Sequence, residues 1–461
     1  MPVTSARPWR AGAVAAFVWG TLVALLVQAL VIIATDGRDL PLAEDWNMVP
    51  ALTGNEPRFL EWLWYPINEH RVPVPKLLYL VVLKLAGGDF RSGMVLNALT
   101  LAALAAACVR VAGARRGGLR LTDAFFPLVL LHAGQAANYA WGWQVQFVSA
   151  VLFTCAPLLV MVRHGAFPPP GAAAVAAVSI ACLPFTGANG LIFFLALAPW
   201  YALVLLRQRA EPRPPGAVTR SALLGAGLAV GVAFSALYAL LYFNPGWQPP
   251  NPGLVPSVKT ALKFAGMAIG PGVWEHRVVV AVVLAPVVLG AAVLLVVRGR
   301  RALAARDDER WRVAGLVCFL GGCLVLVAAM GYGRAAWVPE FGMPPRYAIL
   351  AAPTIVAAYY VWDLYGAAPL AAAARWALLA LALLCLPANH REGRAFVDWY
   401  RAGMDRALAD VDAGVPRLEL ARRHREHLLH WDEPALGERI GMLRDAGMGP
   451  FARLRRDGAA R

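Results

Sequence analysis

Long apolar stretches, each closed by a short polar cluster, set the rhythm of this chain. Runs of about 17 to 23 residues, enough to cross a hydrocarbon core as helix, fall near 13–35, 93–112, 121–137, 144–162, 171–187, 189–206, 221–243, 277–298, 311–331, 346–363 and 369–387. The pattern predicts an all-α, polytopic integral membrane protein with about eleven transmembrane helices. The first run follows Arg7 and Arg10 and is longer than the apolar core of a signal peptide. It reads as an uncleaved anchor with the N-terminus inside.

Arginines then orient the remaining runs. Arg110, Arg115, Arg116 and Arg120 fill one link, Arg163 another, Arg207, Arg209, Arg213 and Arg220 a third, and Arg298, Arg300, Arg301, Arg306, Arg310 and Arg312 a fourth. With the N-terminus inside, all of them face the cytoplasm. This holds if residues 73–86 lie along the membrane surface, and at about 14 residues that stretch is short for a span. Pro73 and Pro75 suit a helix start, and Lys76 and Lys84 are placed to snorkel to headgroups. Residues 36–92 become the first outer loop, with further outer segments at 135–144, 186–190, 244–274 and 331–345. The proline-rich links 167–170 and 211–215 end helices as stiff connectors. Residues 1–387 form the expected membrane domain and 388–461 a charged, helical extramembrane tail, expected outside.

Composition narrows the class. A chain of 461 residues that is 59% hydrophobic and 15% charged is no soluble globule. Its net charge of +15 resides largely in arginines at the ends of apolar runs, so no nucleic-acid partner is called for. Six cysteines fall inside apolar runs, without the spacing of a disulfide framework or a zinc site. His424, His427 and His430 repeat at helical spacing, but no carboxylate or cysteine completes a recognised ligand pattern, so they read as part of a solvated helix. No phosphate-binding glycine loop of the ATPase type is present.

Candidate chemistry gathers in the first outer loop. Glu44 and Asp45 precede Trp46, a residue suited to headgroup depth, where a carboxylate is partly desolvated. Neighbouring side chains diverge, so one of the two is expected to act and the other to orient it. Asn68, Glu69, His70 and Arg71 put an amide, a carboxylate, an imidazole and a guanidinium side by side; Arg offers a planar fork to phosphate while Asn and Glu bond sugar hydroxyls. Farther on, Arg334 and the pair Arg346-Tyr347 border a late span, and Trp143, Gln144 and Gln146 border another. Each group also has a plain alternative: an exposed acidic pair, a polar turn, a snorkelling arginine, an aromatic belt.

Taken together, a first span, a long outer loop with an acidic motif soon after it (Glu44-Asp45), interfacial helices in that loop and an Arg-Tyr pair entering a late span (Arg346-Tyr347) resemble the GT-C superfamily of membrane glycosyltransferases. The resemblance covers most of residues 13–387; the tail resembles no family. It implies glycosyl transfer with inversion, from a polyprenyl-phosphate-linked sugar to an envelope glycan, lipid or protein, at the outer face of the cytoplasmic membrane. Asp45 is then favoured over Glu44 as base, because the resemblance points to an aspartate. Arg346, with Arg71 or Arg334, is expected on the lipid phosphate, and Asn68, Glu69, His70, Tyr347, Trp143 and Gln144 around the sugar. No cofactor is read from the sequence, although a divalent cation at the donor phosphate is compatible with it. Two other classes remain: a carrier or flippase for a polyprenyl-linked saccharide, and a non-catalytic subunit of an envelope assembly machine.

Overall fold

The structure, a computed structural model, describes residues 8–209, 217–242, 246, 248–337 and 343–454. The expected connector at 211–215 and parts of the expected outer segments 244–274 and 331–345 lie outside the described residues. Among those described the chain is helical, with one isolated antiparallel bridge between Ile67 and His70 and no strand. Nine helices there are long and apolar enough to cross a membrane: Ala11–Asp36, Arg91–Arg116, Gly142–His164, Ala188–Gln208, Val218–Leu240, Arg277–Ala304, Glu309–Trp337, Pro345–Tyr365 and Ala368–Asp412. The chain is a multi-pass helical membrane protein.

Two expected spans take another form. Residues 121–137 do not make one helix; they break into a 3-10 turn at Leu121–Ala124, a helix at Phe125–Leu130, a 3-10 turn at Ala133–Gln135 and a helical turn at Ala136–Tyr139. Every residue from 122 to 146 is buried, including Asp123, His132, Gln135 and Asn138. Irregular backbone at membrane depth requires such a protein cover. Asp123 meets Arg116 at one end of the helix Arg91–Arg116, and the carbonyls of Trp141 and Gly142 accept from Asn97 near the other. The broken segment thus travels back along that helix. Residues 171–187 form the helix Pro170–Cys182 and a 3-10 turn Leu183–Thr186, shorter than a standard span. A side chain at Gly227 would strike the backbone of Ala177, so the glycine lets the neighbouring helix approach closely.

The polar groups sort to opposite ends. At one, Arg116 pairs with Asp123 and Asp363, Arg163 donates to the Ala114 carbonyl, Arg312 to the Met161 carbonyl, and Arg298 pairs with Asp307. At the other lie the first loop and the tail together. Ala43 donates its amide to the Leu428 carbonyl, Arg38 pairs with Asp405, and Trp46 meets Phe451. Leu42, Trp46 and Met48 share one apolar core with Val397, Tyr400, Leu436 and Ile440. Ala368–Asp412, 45 residues or about 67 Å long, passes residues 387 and 388 without interruption, so the last span carries the tail away from the membrane as one rod. Helices Arg417–His424 and Glu433–Asp445 then fold back onto the first loop.

The expected surface helix is present as Pro73–Leu85, with proline in its first turn. It buries Tyr79, Leu80 and Leu83 while Leu77, Leu78, Val81 and Leu85 stay exposed. Lys84 is exposed, but Lys76 does not snorkel as expected. Its ammonium is buried and donates to the carbonyls of Trp62 at 2.6 Å and Tyr65 at 2.7 Å, which makes it a staple under the loop. The expected outer segment 244–274 holds a further helix, Leu254–Gly266, packed on the helices Arg277–Ala304 and Glu309–Arg334.

Candidate active site

The wall of the site begins with a 3-10 helix, Ala43–Met48, that presents Glu44 and Asp45 in different directions. Asp45 Oδ2 accepts from the Leu42 amide at 3.0 Å, which turns this side chain inward. It packs beside the Tyr79 hydroxyl against Gly142, where any side chain would strike that hydroxyl. Burial raises the Asp45 pKa to about 7, against the opposing pull of the Leu42 amide and Tyr79. Glu44, released to the other side, lines a cavity of about 380 Å³. Its pKa is also raised by burial, with the Arg346 guanidinium pulling it back.

Most of the expected residues meet at this cavity. Glu44, Asn68, Glu69, His70, Trp143, Gln144, Arg334, Arg346 and Tyr347 all line it. The bridge between Ile67 and His70 closes a tight turn with Asn68 at a positive φ of 53°, a conformation that asparagine tolerates. That turn aims Glu69 and His70 inward, with His70 Nε2 3.5 Å from Glu69 Oε1. Burial lowers the His70 pKa, Glu69 opposes this and Arg334 adds to it, so the imidazole is neutral near pH 7. Opposite, Arg334 and Arg346 lie over the ring of Tyr347 at 5.2 and 5.5 Å, and Arg346 also lies over Trp141 at 5.2 Å. The rings hold both guanidiniums in place. Neither makes a hydrogen bond or ion pair among the described residues, so their donors stay free for a ligand.

Three shielded polar atoms on this wall also take no hydrogen-bond partner among the described residues: Glu44 Oε2, His70 Nδ1 and Gln144 Oε1. Such groups are costly inside a protein and cluster where a ligand or water satisfies them. By contrast Gln146 accepts from the Trp143 indole at 3.1 Å.

Two further spaces adjoin the chamber. One, of about 650 Å³, shares Glu69, His70, Arg334 and Tyr347 and continues between spanning helices along Leu191, Ile192, Leu326, Met330 and Leu350. The other, of about 680 Å³, shares Glu44, Asn68 and Arg346 and runs under the tail past Trp62, Trp141, Trp431 and Arg439. A charged chamber with an apolar groove on one flank and an aromatic, polar cleft on the other suits a ligand whose ends differ in polarity.

Two expected site residues stand elsewhere. Asp45 is behind the wall, and Arg71 is committed to backbone, donating to the Leu241 carbonyl at 2.5 and 3.2 Å and to the Trp64 carbonyl at 2.8 Å. Its fork ties the first loop to the end of a span. The tail, which carried no site expectation, brings Trp431 to the chamber and His430 and Arg439 to the cleft; Trp431 between His430 and Asp432 was the signal in sequence. The tail histidines have separate partners: His424 pairs with Asp410, His427 lies at the Tyr400 carbonyl and His430 at Arg439. Among the described residues no three His, Cys, Asp or Glu side chains are grouped to hold a metal ion. Searches against protein-family models, curated proteins and solved structures gave no match to this chain.

Proposed function

We propose that this chain is a GT-C-type membrane glycosyltransferase. It moves a sugar, with inversion, from a polyprenyl-phosphate carrier to an envelope acceptor at the outer face of the cytoplasmic membrane. In this reading the segments 121–139 and 170–186 cross together with the nine long helices, so the chain crosses eleven times with its N-terminus inside. The observation that carries the proposal is that Glu44 and Arg346 line one chamber, close enough for the guanidinium to act on the carboxylate's charge, and that this chamber shares Arg334 with an apolar groove.

The chemistry follows from those groups. The polyprenyl chain lies in the groove along Leu191, Ile192 and Leu326, which sets its phosphate beside Arg334 and Arg346. The sugar then occupies the chamber against Asn68, Glu69, His70 and Gln144. An acceptor hydroxyl arriving from the cleft gives its proton to the Glu44 carboxylate as its oxygen bonds to the anomeric carbon. The bond from that carbon to the phosphate oxygen breaks, its electrons stay on the phosphate, and the arginines stabilise the charge that develops. Attack from the face opposite the leaving group inverts the configuration. Burial suits Glu44 to the task, since a carboxylate with a raised pKa is a stronger base. Glu44 therefore takes the part that the resemblance assigns to Asp45.

The test is turnover by the purified protein in liposomes, offered a panel of polyprenyl-phosphate sugars and envelope acceptors. Release of polyprenyl phosphate with an inverted glycoside supports the proposal. Movement of labelled donor across the bilayer without cleavage supports a carrier instead.

A further inference from the structure

The end of the molecule opposite the chamber holds a second pocket, of about 600 Å³, with no part in the chemistry above. It lies between Val14, residues 119–122 and the first two turns of the helix Ala368–Asp412. That helix starts without a side-chain cap and without an acidic residue in its first turn, and Ala368, Ala371 and Ala372 line the pocket. Pro369 has no N–H and the Ala371 amide bonds the Ala367 carbonyl, so the open amide among the residues lining the pocket is that of Ala368, at the partially positive helix start.

A second observation points the same way. Arg375, 5% exposed, lines the pocket; one of its terminal nitrogens pairs with Asp363 at 2.9 Å, while its shielded Nε has no partner among the described residues. Arg120, about half exposed, reaches the same aspartate at 3.5 Å. Arg116 bridges Asp363 and Asp123. Three arginines thus face two aspartates, which leaves the cluster net positive. A buried guanidinium with a free N–H beside an uncapped helix start selects an anion.

The walls identify the kind of anion. Val14 and Leu119 are apolar and half-buried, while Leu121 and Trp376 are exposed at the pocket margin, where an acyl chain can follow them. The pocket also lies at the arginine-rich end, the end at which anionic lipid headgroups are held by basic clefts between spans.

We propose that this pocket binds the phosphodiester headgroup of an anionic membrane lipid, held by Arg375 Nε, Arg120 and the Ala368 amide, with its acyl chain against Trp376. Bound there, the lipid completes a cluster that joins the helices Arg91–Arg116, Pro345–Tyr365 and Ala368–Asp412. The site is independent of the glycosyltransferase reading and stands if that reading fails.

The experiment is native mass spectrometry of the full chain in a neutral detergent, titrated with phosphatidylglycerol or phosphatidylcholine. The wild-type protein is expected to retain phosphatidylglycerol about tenfold more tightly, and Arg120→Gln to weaken it by about fivefold, the factor expected for losing one arginine near a headgroup. Trp376→Ala is expected to weaken both lipids. Arg375→Lys keeps the charge but loses the Nε donor and is expected to lose the preference. Because Arg120 is exposed, its variant reports on binding even if substitution at Arg375 disturbs folding. Equal retention of the two lipids, unchanged retention in Arg120→Gln, or displacement by inorganic phosphate as effective as by the lipid itself overturns the proposal.

Discussion

Glu44→Gln separates the two adjacent carboxylates. The amide keeps the size and shape of the side chain but cannot take a proton. Glu44 Oε2 has no hydrogen-bond partner among the described residues, so no bond on that oxygen is lost. The substitution also removes a charge that burial disfavours, which offsets the loss of attraction to Arg346. Folding should therefore change by less than about 1 kcal/mol, an ordinary value for a site outside the core. The rate should change far more: losing a general base costs about 10²- to 10⁴-fold, or about 3 to 5 kcal/mol of barrier. The assay is transfer from the polyprenyl-phosphate sugar at saturating acceptor, beside donor binding and thermal unfolding of the same preparations. Donor binding should persist, since the proposed phosphate contacts, Arg334 and Arg346, are untouched. Asp45→Asn, behind the wall, should keep transfer within about tenfold of wild type, because it removes no group that touches the reacting atoms. Near-normal transfer by Glu44→Gln, or a larger loss in Asp45→Asn, refutes this assignment.

Three further outcomes follow from neighbouring groups. Asp45 has a native pKa raised from 3.8 to about 7, so its stabilising effect is full below about pH 4 and is lost as pH rises to 7; at about 1.4 kcal/mol per unit the loss is of order 4 kcal/mol. Unfolding temperature should fall over that range in the wild type and much less in Asp45→Asn, and parallel profiles would remove Asp45 as the cause. Arg346→Gln takes away the charge that lowers the Glu44 pKa, so the acidic limb of kcat/KM should move to higher pH; Arg346→Lys should leave the limb in place and still reduce the rate, for want of a planar fork. A limb unmoved by Arg346→Gln would separate the two residues. Single cysteines at Arg115 or Arg301 should label from the cytoplasmic side and one at Thr53 from the outside, and the reverse pattern would invert the orientation.

Where the fold was legible, the deciding energy was local. Each long apolar run must satisfy its own backbone in lipid, and each arginine cluster sits beside the span that it ends, so spans and ends could be read link by link. Residues 121–139 escaped this reading because hydropathy averages over a window while helix continuity does not. Asp123, His132, Gln135 and Asn138 interrupt the run, and what makes the breaks tolerable is cover from far away in sequence. Ala133 and Gly134 lie against Gly393 and Asn389, on a helix more than two hundred residues later. No local pattern announces that partner.

The chamber shows the same division at the scale of single side chains. Residue types were informative: a carboxylate from Glu44-Asp45, the Asn68-Glu69-His70 turn and Arg346 with Arg71 or Arg334 were expected at one site, and Glu44, Asn68, Glu69, His70, Arg334 and Arg346 line one cavity. Direction was not, because it depends on which backbone group captures each polar atom first. The Leu42 amide takes Asp45 and leaves Glu44 to the chamber. The Leu241 carbonyl, at the far end of a remote helix, takes Arg71 and leaves Arg334 and Arg346 as the free cations among the described residues of that wall. The carbonyls of Trp62 and Tyr65 take Lys76, and burial reinforced by Arg71 brings its pKa down to about 7. For Asp45 and Lys76 a buried hydrogen bond outweighs the solvent exposure that sequence position alone suggests, since an unmet polar group in the interior costs about 1 to 3 kcal/mol. Such competition also explains the tail. Trp431 reaches the chamber because the last span runs on as a rod and the chain then turns back, pinned by the Leu428 carbonyl on the Ala43 amide, one residue before Glu44.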